Sequence, residues 1–176
     1  MSRYCSPTKF FLPKPGMEID FGGFGKEYAA DRAAAVLMSY GLHHGFVNLG
    51  GDVVVTGPQA NGEPWRLGIR HPRQANEVIA GLPISSGAVA TSGDYERFLE
   101  FDGRRYSHIL DPQTGRSVHG LQSVSVIAPT CLVAGSISTI AMLKGDVDGR
   151  NWLETSGCQY IAVSTDSKVF SNLAVA

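Results

Sequence analysis

The sequence predicts an α+β fold in which a mixed, largely antiparallel sheet packs against two main helices. Short runs of alternating apolar and polar residues recur along the chain, and glycine-rich turns separate them. Glycine accounts for 21 of the 176 residues, which indicates many tight turns. Only two stretches have the apolar spacing and length of a substantial helix. A doubly wound α/β sheet needs a helix after nearly every strand, so the α+β class is favoured.

The length and composition are those of one soluble globular domain spanning residues 1–176. The 15 basic and 16 acidic residues are well mixed, so we expect no nucleic acid partner. No apolar run approaches the roughly 18 residues of a membrane-spanning helix, and the N-terminus lacks the apolar segment of a signal peptide. We therefore expect no direct membrane span and a cytoplasmic location. Cys5, Cys131 and Cys158 show no spacing typical of a disulfide framework or a zinc site.

The first part of the chain is predicted to form two short strands and one helix. Residues 9–12 are a short apolar run that ends at Pro13, and residues 17–21 alternate before a glycine turn. Residues 26–40 then carry apolar side chains at helical spacing, and Gly41 is placed to cap the helix.

The rest of the chain is predicted to supply most of the sheet and the second helix. A β-branched alternating run at 122–128 predicts a strand, and Pro129 introduces an apolar helix over 131–143 that Gly145 ends. A short helix is expected at 152–155. Further strands are predicted at 46–49, 52–56, 65–70, 78–84, 87–91, 98–101, 105–109, 159–164 and 168–173.

A glycine turn at residues 22–25, which we call the glycine corner, lies between the strand predicted at 17–21 and the first helix. Free backbone N–H groups and the helix dipole bind phosphate at such a position. Lys26 follows the turn and Asp20 precedes it, and a simple turn does not require that carboxylate. The spacing matches neither the P-loop nor the dinucleotide-binding fingerprint, so a plain tight turn is an equal alternative.

Two other polar stretches have simpler structural interpretations. Residues 48–52 contain two adjacent glycines, and we interpret them as a bulge between strands. Arg66, Arg70 and His71 are interpreted as the solvated face of one strand.

His108 is the strongest candidate for acid-base chemistry. Tyr106, Ser107, Asp111 and Thr114 surround it in the sequence, and a histidine beside carboxylates titrates in the range that proton transfer needs. The alternative is a histidine that only satisfies the backbone of a hairpin. The residues around it follow no nucleophile-elbow pattern, so a serine hydrolase is weakly supported.

Four ordered runs, spread over most of the chain, carry a resemblance to a known family. They are Asp20–Arg32, Asn48–Asp52, Ala90–Tyr95 and Tyr106–Gly115. In this order and spacing the runs resemble the ApbE family, the FAD:protein FMN transferases.

The resemblance implies an activity, two small ligands and a protein partner. Members of the family cleave the pyrophosphate of FAD with Mg²⁺ and join FMN to a Ser or Thr hydroxyl of an acceptor flavoprotein, releasing AMP. Acceptor sites follow the pattern Ser/Thr-Gly-Ala-x-x-Thr. Residues 86–91 have a loose likeness to that pattern, which we interpret as structural because they lie in a predicted strand.

The resemblance also implies roles for individual residues. His108 is the candidate for accepting the proton of the acceptor hydroxyl. The Gly23 carbonyl and the hydroxyls of Ser138 and Thr139 are implied as metal ligands. The implied FAD-binding residues are Asp20, Lys26, Ser92, Gly93, Asp94 and the backbone at Leu110.

The sequence departs from the family pattern at Gly135. The family carries an Asp on this helix four residues before a Thr, a spacing that turns both oxygens toward the metal. Gly135 offers no carboxylate, and Asp146 is too far along the helix to replace it, so we expect weakened Mg²⁺ binding. An alternative function is therefore a catalytically impaired module that binds FAD or a partner protein.

The chain is also shorter than the family members that it resembles. They usually carry a further N-terminal portion, which completes the pocket and the sheet, and they are often periplasmic and membrane-anchored. We expect this domain to lack that portion and to expose apolar surface, which favours self-association into a homo-oligomer.

Overall fold

The computed structural model describes residues 10–173, which form two helices and ten strands. Helix α1 spans Gly25–Ser39 and helix α2 spans Cys131–Thr155. The strands are β1 Phe46–Leu49, β2 Asp52–Val55, β3 Trp65–Arg70, β4 Val78–Ile84, β5 Gly87–Gly93, β6 Phe98–Phe101, β7 Arg104–Ser107, β8 Leu121–Ala128, β9 Gln159–Ser164 and β10 Val169–Ser171.

The main sheet has six strands in the order β1-β2-β5-β8-β9-β10, and each neighbouring pair is antiparallel. The hairpins β3–β4 and β6–β7 are separate two-stranded sheets. The predicted α+β class with a largely antiparallel sheet is confirmed, because two helices accompany a sheet in which all neighbouring strands are antiparallel.

Both faces of the main sheet are covered, which explains why β8 is buried along almost its whole length. On one face, Val124 and Val126 pack in a core that includes Ala134 and Met142 of α2. On the other face, side chains of β2, β5 and β9 pack against the β3–β4 hairpin. That second core consists of Val53, Val55, Ile69, Leu82, Ile84, Val89 and Ile161.

Asp31 of α1 fixes the start of α2. Its two carboxylate oxygens accept hydrogen bonds from the backbone N–H groups of Cys131 at 2.7 Å and Leu132 at 2.9 Å. The Thr130 side chain caps the same end by accepting from the Val133 N–H at 3.3 Å. These bonds pair N–H groups that have no partner inside a helix, and they hold the two helices in one relative position.

Two predicted strands are absent from the structure, and one predicted helix end is a break within α2. Residues 10–12 and 17–21 form no strand, and Lys9 lies outside the described residues. Residues 17–21 do alternate, but no neighbouring strand among the described residues supplies either segment with the ladder hydrogen bonds that a strand needs. Gly145, with φ 77°, ends the first helical segment of α2 as predicted, and a second helical segment follows it and continues to Thr155. Neither helix in the described part of the chain has the length and apolar character of a membrane span.

Candidate functional site

A cavity of about 790 Å³ opens between the start of α1, the β1–β2 turn, β3, the end of β5 and the segment that follows β7. Its lining includes eight of the ten site residues predicted from the sequence. Ser138 and Asp94 are the two that do not line it. The eight are Asp20, Gly23, Lys26, Ser92, Gly93, His108, Leu110 and Thr139.

The glycine corner forms a tight turn that leads into α1. The Asp20 carboxylate accepts a hydrogen bond from the Gly22 N–H at 2.6 Å, and the Gly25 N–H donates to the Phe21 carbonyl at 2.7 Å. No side chain caps the start of α1. The Lys26 backbone N–H in the first turn has no acceptor among the described residues, so it keeps its capacity to bind an anion at the cavity wall.

Lys26 reaches a buried carboxylate that sequence reasoning did not select. Its Nζ lies 2.5 Å from Oδ2 of Asp52, which is 2% exposed. Burial by itself lowers the pKa of Lys26, but the hydrogen bond and negative charge of Asp52 outweigh burial and raise the pKa overall. Lys26 therefore carries its positive charge at the cavity wall.

The β1–β2 turn places Asp52 at the cavity. Gly50 and Gly51 have φ of 64° and 98°, and Leu49 pairs directly with Asp52, so the segment is a two-residue hairpin turn. The bulge that we predicted at residues 48–52 is therefore wrong. Two adjacent glycines are typical of such a turn, and this pattern places the carboxylate of Asp52 directly after it.

Hydroxyl groups from β5 and α2 form one connected cluster. The Ser92 Oγ lies 2.8 Å from the Ser138 Oγ and 2.9 Å from the Thr139 Oγ1. Ser138 is fully buried and donates to the Gly135 carbonyl at 3.0 Å, so the cluster presents Thr139 and Ser92 to the cavity.

Glu27 is a second residue that sequence reasoning left without a role. It lines the cavity from the first turn of α1 and is only 7% exposed. Burial raises the pKa of this carboxyl above its usual value, and the neighbouring Asp52 adds to the effect. A charged residue in the buried stripe of a helix was the available signal, because such positions are normally apolar.

His108 is held in one orientation by the backbone. Its Nδ1 lies 3.1 Å from the Arg97 carbonyl, and its backbone N–H donates to the same oxygen at 3.0 Å. A carbonyl oxygen only accepts, so Nδ1 carries the hydrogen and a neutral ring keeps its free electron pair on Nε2. His108 also borders a second cavity, lined by Phe98, Leu99 and Tyr106.

Asp94 has a structural partner outside the cavity. Both carboxylate oxygens bind the Arg73 guanidinium at 2.7 Å, a bidentate geometry that ties β5 to the segment after β3. Tyr95 instead lines the cavity, and its ring covers Gly93. Arg70, which we interpreted as part of a solvated strand face, also lines the cavity.

The chain is similar to known proteins over most of its length. The ApbE family model matches residues 3–162. The FAD:protein FMN transferase of Salmonella typhimurium is 36% identical over 164 residues, which cover 91% of this chain and 47% of that protein. The FAD:protein FMN transferase of Escherichia coli K12 is 35% identical over 158 residues, covering 89% and 45%. The chain thus spans about half the length of these curated relatives.

Solved structures extend the similarity to the fold. The crystal structure of the ApbE protein from Thermotoga maritima has a TM-score of 0.82 and 39% identity, covering 88% of this chain and 51% of that one. The apo form of the Pseudomonas stutzeri flavinyl transferase ApbE has a TM-score of 0.75 and 34% identity, covering 88% and 49%.

Proposed function

Because the chain belongs to the ApbE family, we propose that it transfers FMN from FAD to a Ser or Thr hydroxyl of an acceptor flavoprotein and releases AMP. The main supporting observation is the cavity itself. Residues from four separate sequence runs and from α2 line it together, and they include a helix N-terminus, a lysine, a histidine and a hydroxyl cluster. That combination suits a pyrophosphate flanked by a proton acceptor.

The cavity residues have distinct binding roles in this proposal. The first turn of α1 and Lys26 attract the pyrophosphate, and Arg70 adds positive charge to the cavity lining. Asp52 keeps Lys26 in position through their ion pair. The backbone at Leu110 and the ring of Tyr95 border the space left for the rest of the nucleotide.

His108 accepts the proton that the reaction releases. The acceptor hydroxyl oxygen forms a new bond to the phosphorus on the FMN side of the pyrophosphate, the bond between that phosphorus and the bridging oxygen breaks, and AMP leaves. The hydroxyl proton passes to Nε2 of His108, the ring nitrogen that keeps a free electron pair. Because His108 borders both cavities, an acceptor segment bound against Phe98 and Tyr106 can reach it.

Mg²⁺ is the proposed assisting ion, and the oxygen donors around the cavity fit it. The Gly23 carbonyl and the Thr139 hydroxyl border the cavity, and Ser138 lies behind Thr139 in the same hydroxyl cluster. No group of three or more His, Cys, Asp or Glu side chains among residues 10–173 is arranged to hold a metal. When bound, Mg²⁺ neutralises the pyrophosphate and polarises the phosphorus under attack.

A second candidate function follows from Gly135, which offers no carboxylate to such an ion. In that case the domain binds FAD or a partner protein without transferring FMN. The two functions differ in one observable, which is the covalent attachment of flavin to an acceptor.

The decisive experiment incubates the chain with FAD, Mg²⁺ and a peptide carrying Ser/Thr-Gly-Ala-x-x-Thr, and measures the peptide mass. We expect the FMN increment with the wild type, a decrease of at least a hundredfold in rate with His108→Gln, and no change with the exposed control His43→Gln. FAD binding without any increment, from folded protein, would leave only the binding module.

A further inference from the structure

Gly135 of α2 lies against the side chain of Glu27 from α1. A Cβ atom added at Gly135 would lie 2.6 Å from Cγ and 2.7 Å from Oε1 of Glu27. Atoms of real side chains do not approach so closely, so the Glu27 carboxylate occupies the space into which a side chain at position 135 would project. The carboxylate that the sequence lacks on α2 is thus present in the same place, supplied by α1.

The Glu27 carboxylate is buried and incompletely paired. The side chain is 93% inaccessible, since its exposure is 7%, and Oε2 has no hydrogen-bond partner among the described residues. The neighbouring Lys26 ammonium makes its direct hydrogen bond to Asp52 and not to Glu27. A buried carboxylate oxygen without a partner is costly, and a bound cation is one of the few arrangements that removes the cost.

The cavity that Glu27 lines also presents oxygen donors of the kind that a hard cation selects. The Gly23 carbonyl receives no hydrogen bond from any described donor, and Gly23 lines the cavity together with Glu27 and Thr139. The Thr139 hydroxyl is positioned by its 2.9 Å contact with Ser92. A carbonyl, a hydroxyl and one carboxylate, completed by water and substrate phosphate, satisfy Mg²⁺.

We propose that Glu27 is the carboxylate ligand of a divalent cation in this chain and takes the place of a carboxylate at position 135. The proposal rests on the proposed FAD site only for the identity of the cation, since the pairing of Glu27 with Gly135 is a property of the two helices. It also corrects the expectation that Gly135 leaves the cation without a carboxylate. A side chain at position 135 would require Glu27 to shift from its present position.

The test measures Mn²⁺, a spectroscopic substitute for Mg²⁺, by the loss of its free-ion electron paramagnetic resonance signal. Titrations are made without FAD and with saturating FAD, after subtraction of Mn²⁺ bound by FAD alone. We expect binding by the wild type, an affinity at least tenfold lower for Glu27→Gln, and an unchanged affinity for Glu100→Gln, a matched control on the exposed strand β6. Equal Mn²⁺ affinities of wild type and Glu27→Gln would overturn the proposal, as would a wild type that binds no Mn²⁺ in either titration.

Two further variants test whether a carboxylate at position 135 can replace that of Glu27. This test does not require Glu27→Gln to fold. Gly135→Asp alone should lower the melting temperature without raising Mn²⁺ affinity, because the new side chain collides with Glu27. Glu27→Ala with Gly135→Asp removes the collision and returns a carboxylate, so it should bind Mn²⁺ at least tenfold more tightly than Glu27→Ala. Equal affinities of these two variants would refute the exchange of positions.

The outcomes also separate this proposal from the transfer function. Mn²⁺ binding that depends on Glu27 but is accompanied by no FMN transfer would uphold the ligand assignment and reject the activity. If Glu27→Gln transfers FMN and binds Mn²⁺ as the wild type does, the activity would be upheld and the ligand assignment rejected.

Discussion

The contact between Asp31 and the start of α2 predicts a large loss of stability when it is removed. In Asp31→Ala, the N–H groups of Cys131 and Leu132 lose acceptors that now lie at 2.7 and 2.9 Å. A hydrogen bond to a charged group contributes about 1.5–3 kcal/mol. Asp31 is half-buried, so water compensates part of the loss, and we expect the free energy of unfolding to fall by about 3 kcal/mol.

The measurement is equilibrium urea unfolding followed by circular dichroism, together with thermal melting. In a domain of this size, a change of 3 kcal/mol corresponds to a decrease in melting temperature of about 6–12 °C. Asp31→Asn keeps one acceptor oxygen and should lose about half as much. Asp148→Ala is the matched control, because Asp148 is an exposed carboxylate on α2 and its loss should change stability by no more than about 0.5 kcal/mol.

A decrease of less than about 1 kcal/mol for Asp31→Ala would refute the reasoning. It would mean that the start of α2 is held by its own Thr130 cap and by core packing, and that the helices do not depend on Asp31 for their relative position. The placement of Gly135 against Glu27 would then need another cause.

Three further predictions concern the cavity and the core. Lys26→Met leaves the buried Asp52 without its cation, so the free energy of unfolding measured in urea should fall by about 3 kcal/mol. Adding Asp52→Asn should recover part of this loss, and strictly additive losses would contradict the pairing. Burial, with the charges of Asp52, Asp31 and Glu27, raises the pKa of Cys131 to about 12, so iodoacetamide at pH 8 should label this thiol only after unfolding, as peptide mapping can check. The buried, neutral Cys131 thiol stabilises the folded protein fully below its usual pKa of 9.0, and this stabilisation is lost as the pH rises toward about 12. Rapid labelling of the folded protein would disprove the burial. Gly93→Ala places a Cβ 2.4 Å from the Tyr95 ring and should lower the free energy of unfolding by about 1–3 kcal/mol. It should also weaken FAD binding in a fluorescence titration, and an unchanged affinity for FAD would exclude Tyr95 from the site.

Much of the fold was predictable because local patterns dictate it. Helix α1 and the strands from β1 onward follow apolar periodicity and glycine turns, so their predicted bounds agree closely with the structure. Residues 17–21 show the limit of that reasoning, since alternation is a local property and a strand also requires a partner.

The site was predictable only in part, because its key contacts are between distant segments. The glycine corner, Lys26 and His108 come from motifs that are visible in the sequence, and the cavity brings them together. The contact of Glu27 with Gly135 arises from the packing of α1 on α2, which no local pattern encodes. Asp94 resembled a site residue, but its carboxylate turns away from the cavity toward Arg73.

The β6–β7 hairpin forms no ladder with the six-stranded sheet, and its strands expose Phe98, Leu99 and Phe101. Phe98 and Leu99 belong to neither hydrophobic core, so substitutions at these two positions alter the surface beside His108 and leave both cores intact. Under the proposed function, such substitutions would change which acceptor protein docks beside His108 without changing the residues proposed to bind FAD.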